Sequence, residues 1–98
     1  MSSTTLVVTA LPNPTEMGAV RGYLEGVMPL FMGAGGQLVK RLKVEEVVHG
    51  DRSGMVLVMD FDSAETLREL FSSEAYAALI PGRDKGFAQF NALIAAAL

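Results

Sequence analysis

The chain has 98 residues, of which 50% are hydrophobic and 19% are charged, with a formal net charge of −3 at pH 7. This composition excludes a disordered chain and predicts one globular domain spanning residues 1–98. The acidic balance argues against a phosphate-binding surface, so no nucleic-acid partner is expected. The sequence has no cysteine, which excludes disulfides, thiolate nucleophiles and cysteine-based metal sites. The first apolar run ends at Pro12, too early for a signal peptide or a membrane span, so we expect a cytoplasmic protein with no membrane partner.

Residues 4–11 are predicted to form a first strand, after which Asn13 and Pro14 indicate the start of a helix. Asparagine is a favourable N-cap, and proline suits the first helical position. Apolar residues then follow at helical spacing on one stripe; they are Met17, Val20, Leu24, Val27, Met28 and Phe31. Pro29 is expected to kink or tighten this helix, and the glycine-rich segment that ends with Gly36 is expected to end it.

Two further strands are predicted over residues 36–49 and 55–61, joined by a turn at residues 50–54. Side chains alternate along a strand, so the third strand is apolar on both faces: Met55, Leu57 and Met59 lie on one side, Val56 and Val58 on the other. The first strand shows the same pattern. The chain has material for about two helices of useful length, which can cover only one face of the sheet. We therefore expect a homodimer in which the other face meets a second copy.

In the second half of the chain, Asp62 to Glu65 indicates a second helix start, and Ser73 to Tyr76 opens a short helix that is expected to end at Pro81 and Gly82. The tail fits a helix and a buried strand equally by its periodicity, and we predict a strand over Phe90 to Ala96. The element order then predicts an α+β, ferredoxin-like split βαβ fold (βαββαβ) with a four-stranded antiparallel sheet.

Four segments occur in a characteristic order; they are Gly35–Val39, Val48–Asp51, Phe61–Glu65 and Ser73–Arg83. Together they resemble a family of small uncharacterised proteins, a domain of unknown function within the dimeric α/β-barrel superfamily. That superfamily also contains cofactor-free monooxygenases of antibiotic biosynthesis, EthD-like proteins, muconolactone isomerase and chlorite dismutase. The resemblance implies a ferredoxin-like subunit whose sheet packs against the sheet of a partner to form a barrel. It implies no established activity.

Tyr76, Pro81 and Arg83 lie where the family has a recurrent tyrosine, proline and arginine. The chain departs from the family pattern at three positions. Gly82 replaces a bulky apolar residue, Leu70 stands where an aromatic residue is common, and Arg41-Leu42 replaces a frequent Arg-Gly turn. The glycine before Arg83 loosens the loop that orients this side chain, which weakens an inherited role for it.

Six side chains are candidates for binding a ligand. His49 is the only histidine and could serve in acid–base chemistry, but neither metal-ligand nor triad spacing accompanies it, so no metal site is expected. Tyr76 and Arg83 could orient a small aromatic or acidic ligand, or could pack and tie down their own loop. The other three interrupt apolar strands, where they could line a pocket or lie at the dimer seam; they are Thr9, Asp60 and Asn91.

Three functions fit these residues. The first is a homodimeric protein with a small-molecule pocket between its helices and its sheet. The second is a cofactor-independent monooxygenase or isomerase that acts on a small aromatic or lactone-like compound. The third is a structural or regulatory module with a filled interior and no ligand. No cofactor is expected, because the sequence shows no metal or flavin motif; an enzyme without one can rely on a reactive substrate in a dry pocket.

Overall fold

A computed structural model describes residues 4–98 as a four-stranded sheet with helices against one of its faces. The elements in chain order are β1 (Thr4–Pro12), a 3-10 turn (Pro14–Glu16), α1 (Met17–Gly33), β2 (Gln37–Lys43), β3 (Met55–Phe61), α2 (Ala64–Phe71), α3 (Glu74–Ala77), α4 (Ile80–Gly86) and β4 (Phe87–Ala95). The strand order is β2-β3-β1-β4, and every neighbouring pair is antiparallel. The α+β, ferredoxin-like prediction is confirmed.

The turn after β1 differs in detail from the predicted helix start. The side chain of Asn13 accepts a hydrogen bond from the backbone N–H of Thr15 at 3.1 Å, and so caps the 3-10 turn rather than α1. Helix α1 begins at Met17 and continues past Pro29 to Gly33. Gly35 follows with φ +87°, a left-handed conformation that favours glycine and ends the helix as expected.

The predicted second strand over residues 36–49 was too long. Strand β2 pairs with β3 only as far as the match of Lys43 with Met55. The backbone N–H of Val44 then donates to the carbonyl of Gly54 at 2.9 Å and closes the hairpin. The intervening residues form an exposed loop, because β3 provides no further backbone partners for an extended strand.

The last third of the chain confirms one prediction and corrects another. The tail is a strand, and β4 pairs with β1 from Pro12 opposite Phe87 to Thr5 opposite Ala95. Pro81 does not end a helix, because it lies in the first turn of α4, where its missing N–H costs no hydrogen bond. α3 ends at Ala77 instead.

The core lies between the helices and one face of the sheet. Alternate residues of the two central strands are buried there; they are Leu6, Val8, Ala10, Leu57, Met59 and Phe61. α1 contributes Val20, Val27 and Phe31, and α2 contributes Leu67 and Leu70, at the helical spacing expected for one buried stripe.

Within residues 4–98, no helix packs against the other face of the sheet. Five apolar residues on this face form what we call the open patch: Val7, Leu42, Val56, Val58 and Leu93. Their partners in the strand register place them side by side, since Val7 lies opposite both Val58 and Leu93. Leu42 and Leu93 are about half exposed, at 47% and 53%. Across residues 4–98, no helix has the length and apolar character needed to cross a membrane.

Candidate functional site

Two tyrosines meet inside the core. The hydroxyl oxygens of Tyr23 on α1 and Tyr76 on α3 lie 2.9 Å apart, and either hydroxyl can donate the hydrogen bond. The two residues are 3% and 2% exposed. Ser73 fixes the position of Tyr76, since its hydroxyl accepts from the backbone N–H of Tyr76 at 3.1 Å and caps the short helix.

Arg83 on α4 connects this tyrosine pair to the surface. Its Nη1 donates to the Tyr76 hydroxyl at 3.1 Å, while Nε and Nη2 donate to Oδ1 of Asp84 at 3.2 and 3.1 Å. The guanidinium also lies 5.6 Å from the ring centre of Phe90 and 5.9 Å from that of Tyr76, within cation–π range. The arginine side chain is 26% exposed. It therefore ties its own loop to Asp84, the structural alternative considered from the sequence, and it also contacts Tyr76, while its role in orienting a ligand stays a prediction.

Burial has the largest effect on the pKa of Tyr23. Desolvation, and then the hydrogen bond and charge of Tyr76, raise the pKa of Tyr23 far above its ordinary value, while the Arg83 charge opposes the shift only weakly. Burial tends to lower the pKa of Arg83, but its bonds to Tyr76 and Asp84 outweigh this and raise it. The hydroxyl of Tyr23 is therefore a neutral hydrogen-bonding group at physiological pH, and it does not act as a base there.

Tyr23 is a residue of this candidate site that the sequence did not single out. It lies three residues after Val20 and four before Val27, so it belongs to the same buried stripe of α1. The spacing could have identified it as buried. A buried tyrosine needs a hydrogen-bond partner, and Tyr76 is the other tyrosine of the chain. The pairing itself depends on the fold, because 53 residues separate the two.

The strand candidates lie on the open face of the sheet. Nδ2 of Asn91 donates to the hydroxyl of Thr9 at 3.3 Å, and the hydroxyl of Thr5 donates to Oδ1 of Asp60 at 2.8 Å. Each bond joins residues directly opposite one another in the register. The two pairs flank the open patch rather than the space under the helices. A place for them at a dimer seam stays a prediction.

His49 lies in the exposed loop between β2 and β3, beyond the end of the strand on which it was expected. Asp51 is exposed in the same loop. Within residues 4–98 no group of three or more His, Cys, Asp or Glu side chains could hold a metal ion. The structure brings Tyr76 and Arg83 together, and Thr9 and Asn91 together, and among the described residues no hydrogen bond joins His49 to any of them.

The space enclosed between helices and sheet is nearly full. A cavity of about 20 Å³ lies next to Tyr23, Phe31, Phe87 and Phe90, which is room for about one water molecule. Aromatic rings account for the dense packing, since Tyr23 makes edge-to-face contacts with Phe87 and Phe90 at centroid distances of 5.7 and 5.5 Å.

A larger opening lies at the edge of the same layer. This edge cleft, about 290 Å³ and open to solvent, lies between α1 and the hairpin of β2 and β3. Leu24 and Met28 line its helix side, and Met55 and Leu57 line its sheet side. Arg41 and Lys43 of β2 also line the cleft, and both are exposed, so we call them its rim. Its volume is close to the lower end of ligand pockets, roughly 300–1,000 Å³, and its lining combines apolar side chains with a few charged groups.

Solved structures confirm the fold. A protein of unknown function from Rhodopseudomonas palustris is similar with a TM-score of 0.82 and 15% identity, over 99% of this chain and 83% of that one. A DABB family protein with a ferredoxin-like fold from Mesorhizobium loti has a TM-score of 0.73 and 10% identity, over 100% and 99% of the two chains. A dimeric protein of unknown function and ferredoxin-like fold from Bacteroides fragilis has a TM-score of 0.64 and 9% identity, over 97% and 96%.

At identities this low, the similarity concerns the fold alone. No curated protein matches the chain in sequence. One family model does match it, over residues 4–98, and its description is "Domain of unknown function (DUF1330)". This agrees with the resemblance seen in the sequence. The match covers nearly the whole chain, and the protein therefore belongs to the DUF1330 family.

Proposed function

We propose that the protein is a homodimer that binds a small molecule in the edge cleft. The observation that carries this proposal is the cleft itself, an opening of about 290 Å³ with an apolar floor that reaches solvent. Small-molecule sites are concave and mostly apolar, with a few polar groups that orient the ligand. The edge cleft has this character, whereas the enclosed cavity of about 20 Å³ is too small for a metabolite.

The homodimer is supported by the open patch. An antiparallel sheet that faces water on one side normally carries polar residues on that side. Here all four strands place valine or leucine side chains there instead, with Val7 between Val58 and Leu93. The flanking pairs Thr5–Asp60 and Thr9–Asn91 satisfy their own hydrogen bonds, so covering them leaves little polar surface unpaired. A second copy presents the same apolar surface and is the natural occupant of this face.

A ligand screen tests the binding site. Thermal shifts over a set of metabolites would identify a ligand, and calorimetry would measure its affinity. A ligand at 100 times its dissociation constant raises the free energy of unfolding by about 2.7 kcal/mol. If no class of compound raises the melting temperature, the proposed binding function is wrong.

Two methionines on α1 give a matched pair of variants. Met28 lines the edge cleft, while Met32, one turn further along, is 55% exposed and does not line it. Met28→Trp should fill the cleft and abolish binding of the ligand found in the screen. Met32→Trp should leave binding intact. Equal affinity in both variants would place the ligand outside the cleft.

A second candidate function is a structural or regulatory module without a ligand. The nearly full interior favours it, because the residues enclosed between helices and sheet pack around a space of about 20 Å³. This candidate predicts a dimer whose melting temperature no metabolite changes. The same thermal-shift screen therefore separates it from the first.

A cofactor-independent monooxygenase or isomerase is the enzymatic alternative, and the partly exposed guanidinium of Arg83 supports it. Together with Tyr76 it could orient a phenolic or lactone-like substrate beside Phe90. Turnover of such a compound should then be lost in Arg83→Ala. Asn91, on the other face of the sheet, would contribute only through the dimer, so Asn91→Ala tests whether the second copy takes part.

A further inference from the structure

We propose that the ligand of the edge cleft is a small organic anion with an apolar body, whose acidic group is bound by Arg41 and Lys43. This inference rests on the proposed function and names the class of compound that the cleft would bind. It follows from an unusual distribution of charge on β2, one of the two edge strands of the sheet.

The strand register determines the side of the sheet on which each cation lies. Arg41 lies opposite Leu57, and Lys43 lies opposite Met55. Residues directly opposite one another in a pair of strands point to the same face. Leu57 is 6% exposed and belongs to the core under the helices, so both cations lie on the helix side. Lys40 lies opposite Val58 and is therefore on the open side.

These two cations border an apolar surface without being neutralised. Among the residues that the structure describes, the ion pairs join Arg83 to Asp84 and Lys85 to Glu16, and neither Arg41 nor Lys43 has a carboxylate within ion-pair distance. The guanidinium offers paired N–H donors that match a carboxylate. The apolar floor of Met55 and Leu57 lies beside them.

An amphiphilic anion matches both parts of the cleft. Its apolar body would cover the exposed floor between α1 and β3, and its acidic group would reach the rim. A neutral apolar compound would leave the two cations without partners, and a fully polar anion would leave the floor in water. Charge complementarity and apolar burial together therefore select a compound that has both features.

Cations on an edge strand have another established use, since lysines there prevent the strand from pairing with other chains. That role needs no ligand, and it does not depend on which face of the strand carries the charge. The ligand proposal does depend on the face. Lys40, on the same strand but on the opposite face, is therefore a control of equal charge.

Calorimetry with 3-phenylpropionate and its neutral analogue 3-phenylpropanamide tests the inference. The wild-type protein should bind the acid about tenfold more tightly than the amide, because a hydrogen bond to a carboxylate is stronger than one to a neutral amide. Arg41→Gln and Lys43→Gln should each reduce this preference, and the double variant should abolish it. Lys40→Gln should leave it unchanged. Affinity for the acid should also fall as the salt concentration rises.

The outcomes separate the inference from the proposed function. If acid and amide bind equally and Met28→Trp blocks both, the anion inference is wrong and the binding cleft stands. If Lys40→Gln weakens binding of the acid as much as Arg41→Gln does, the preference reflects the overall charge of the protein, and the assignment of Arg41 and Lys43 is wrong. If neither the acid nor octanoate binds at millimolar concentration, the anion inference is wrong, and the wider metabolite screen decides the function of the cleft.

Discussion

The hydroxyl oxygens of Tyr23 and Tyr76 lie 2.9 Å apart in the core, although 53 residues separate them in the chain. The two residues differ in one respect. Tyr76 also accepts a hydrogen bond from Nη1 of Arg83, whereas among the described residues the hydroxyl of Tyr23 bonds only to Tyr76. Loss of one hydroxyl therefore has a different consequence from loss of the other.

Tyr76→Phe should destabilise the protein more than Tyr23→Phe. The first change leaves the buried hydroxyl of Tyr23 without a partner, which costs about 1–3 kcal/mol. The second leaves Tyr76 bonded to Arg83 and removes one net hydrogen bond, worth about 0.5–1.5 kcal/mol. Urea unfolding of each variant measures these free energies. The double variant should cost less than the sum of the two, and an additive result would contradict the coupling.

The raised pKa of Tyr23 predicts a loss of stability in alkaline solution. The folded state keeps this phenol protonated while the unfolded state ionises near pH 10, so the stabilisation is fully present below pH 10 and declines as the pH rises above it. The decline should approach about 1.4 kcal/mol per pH unit. Urea unfolding between pH 8 and 11 measures it, with Tyr23→Phe as the control that lacks this contribution. Parallel curves of unfolding free energy against pH for the two proteins would show that the pKa of Tyr23 is not raised.

Substitution by alanine should have opposite effects on stability at two glycines of α4, because a Cβ has room at one of them and not at the other. A Cβ on Gly86 would lie 2.8 Å from the backbone nitrogen of Val20, so Gly86→Ala should force α1 and α4 apart and cost about 1–3 kcal/mol. A Cβ on Gly82 meets nothing within 4 Å, and Gly82→Ala should stabilise the helix by roughly 0.5–1 kcal/mol. Thermal unfolding of both variants measures the contrast. A neutral Gly86→Ala would mean that the two helices do not approach this closely.

A charge placed on each face of β3 distinguishes the interface from the core. Val58 lies in the open patch, and Val58→Lys should give a folded protein of monomeric mass, since the charge would be buried against the second copy. Leu57 is 6% exposed beneath the helices, and Leu57→Lys should unfold the subunit. Circular dichroism and light scattering give the two readouts. A stable dimer in both variants would show that the assignment of β3 is wrong, and a stable dimer of Val58→Lys alone would show that this face is not the interface.

The two strands that are apolar on both faces were predictable, because the alternation of side chains along a strand can be seen within a few neighbouring residues of the sequence. β1 and β3 agree with the predictions to within a residue, and Ser63 caps α2 where the sequence placed a helix start. The end of β2 was not predictable in this way, since a strand continues only where a neighbour supplies backbone partners. β3 stops supplying them at Met55, so the residues up to His49 form a loop.

The candidate site was predictable only in part, for a similar reason. Tyr76 and Arg83 were identified, and they do contact one another, but their partner Tyr23 comes from α1 and is brought to them by the fold. The sequence predicted a pocket between helices and sheet, but neither this cleft at the edge of the sheet nor the two cations in its lining. The edge cleft depends on a bulge in β2 near Leu38 and Lys40, which determines the face on which Arg41 lies, and the sequence pattern carries no sign of that bulge.

The mass of the wild-type protein in solution tests the central claim most directly, because the homodimer follows from the uncovered apolar face of the sheet. Light scattering at micromolar concentration should report a species of twice the 10.4 kDa chain mass. It should still do so at high salt, since the open patch is apolar. A well-folded species of 10.4 kDa under these conditions would contradict the account.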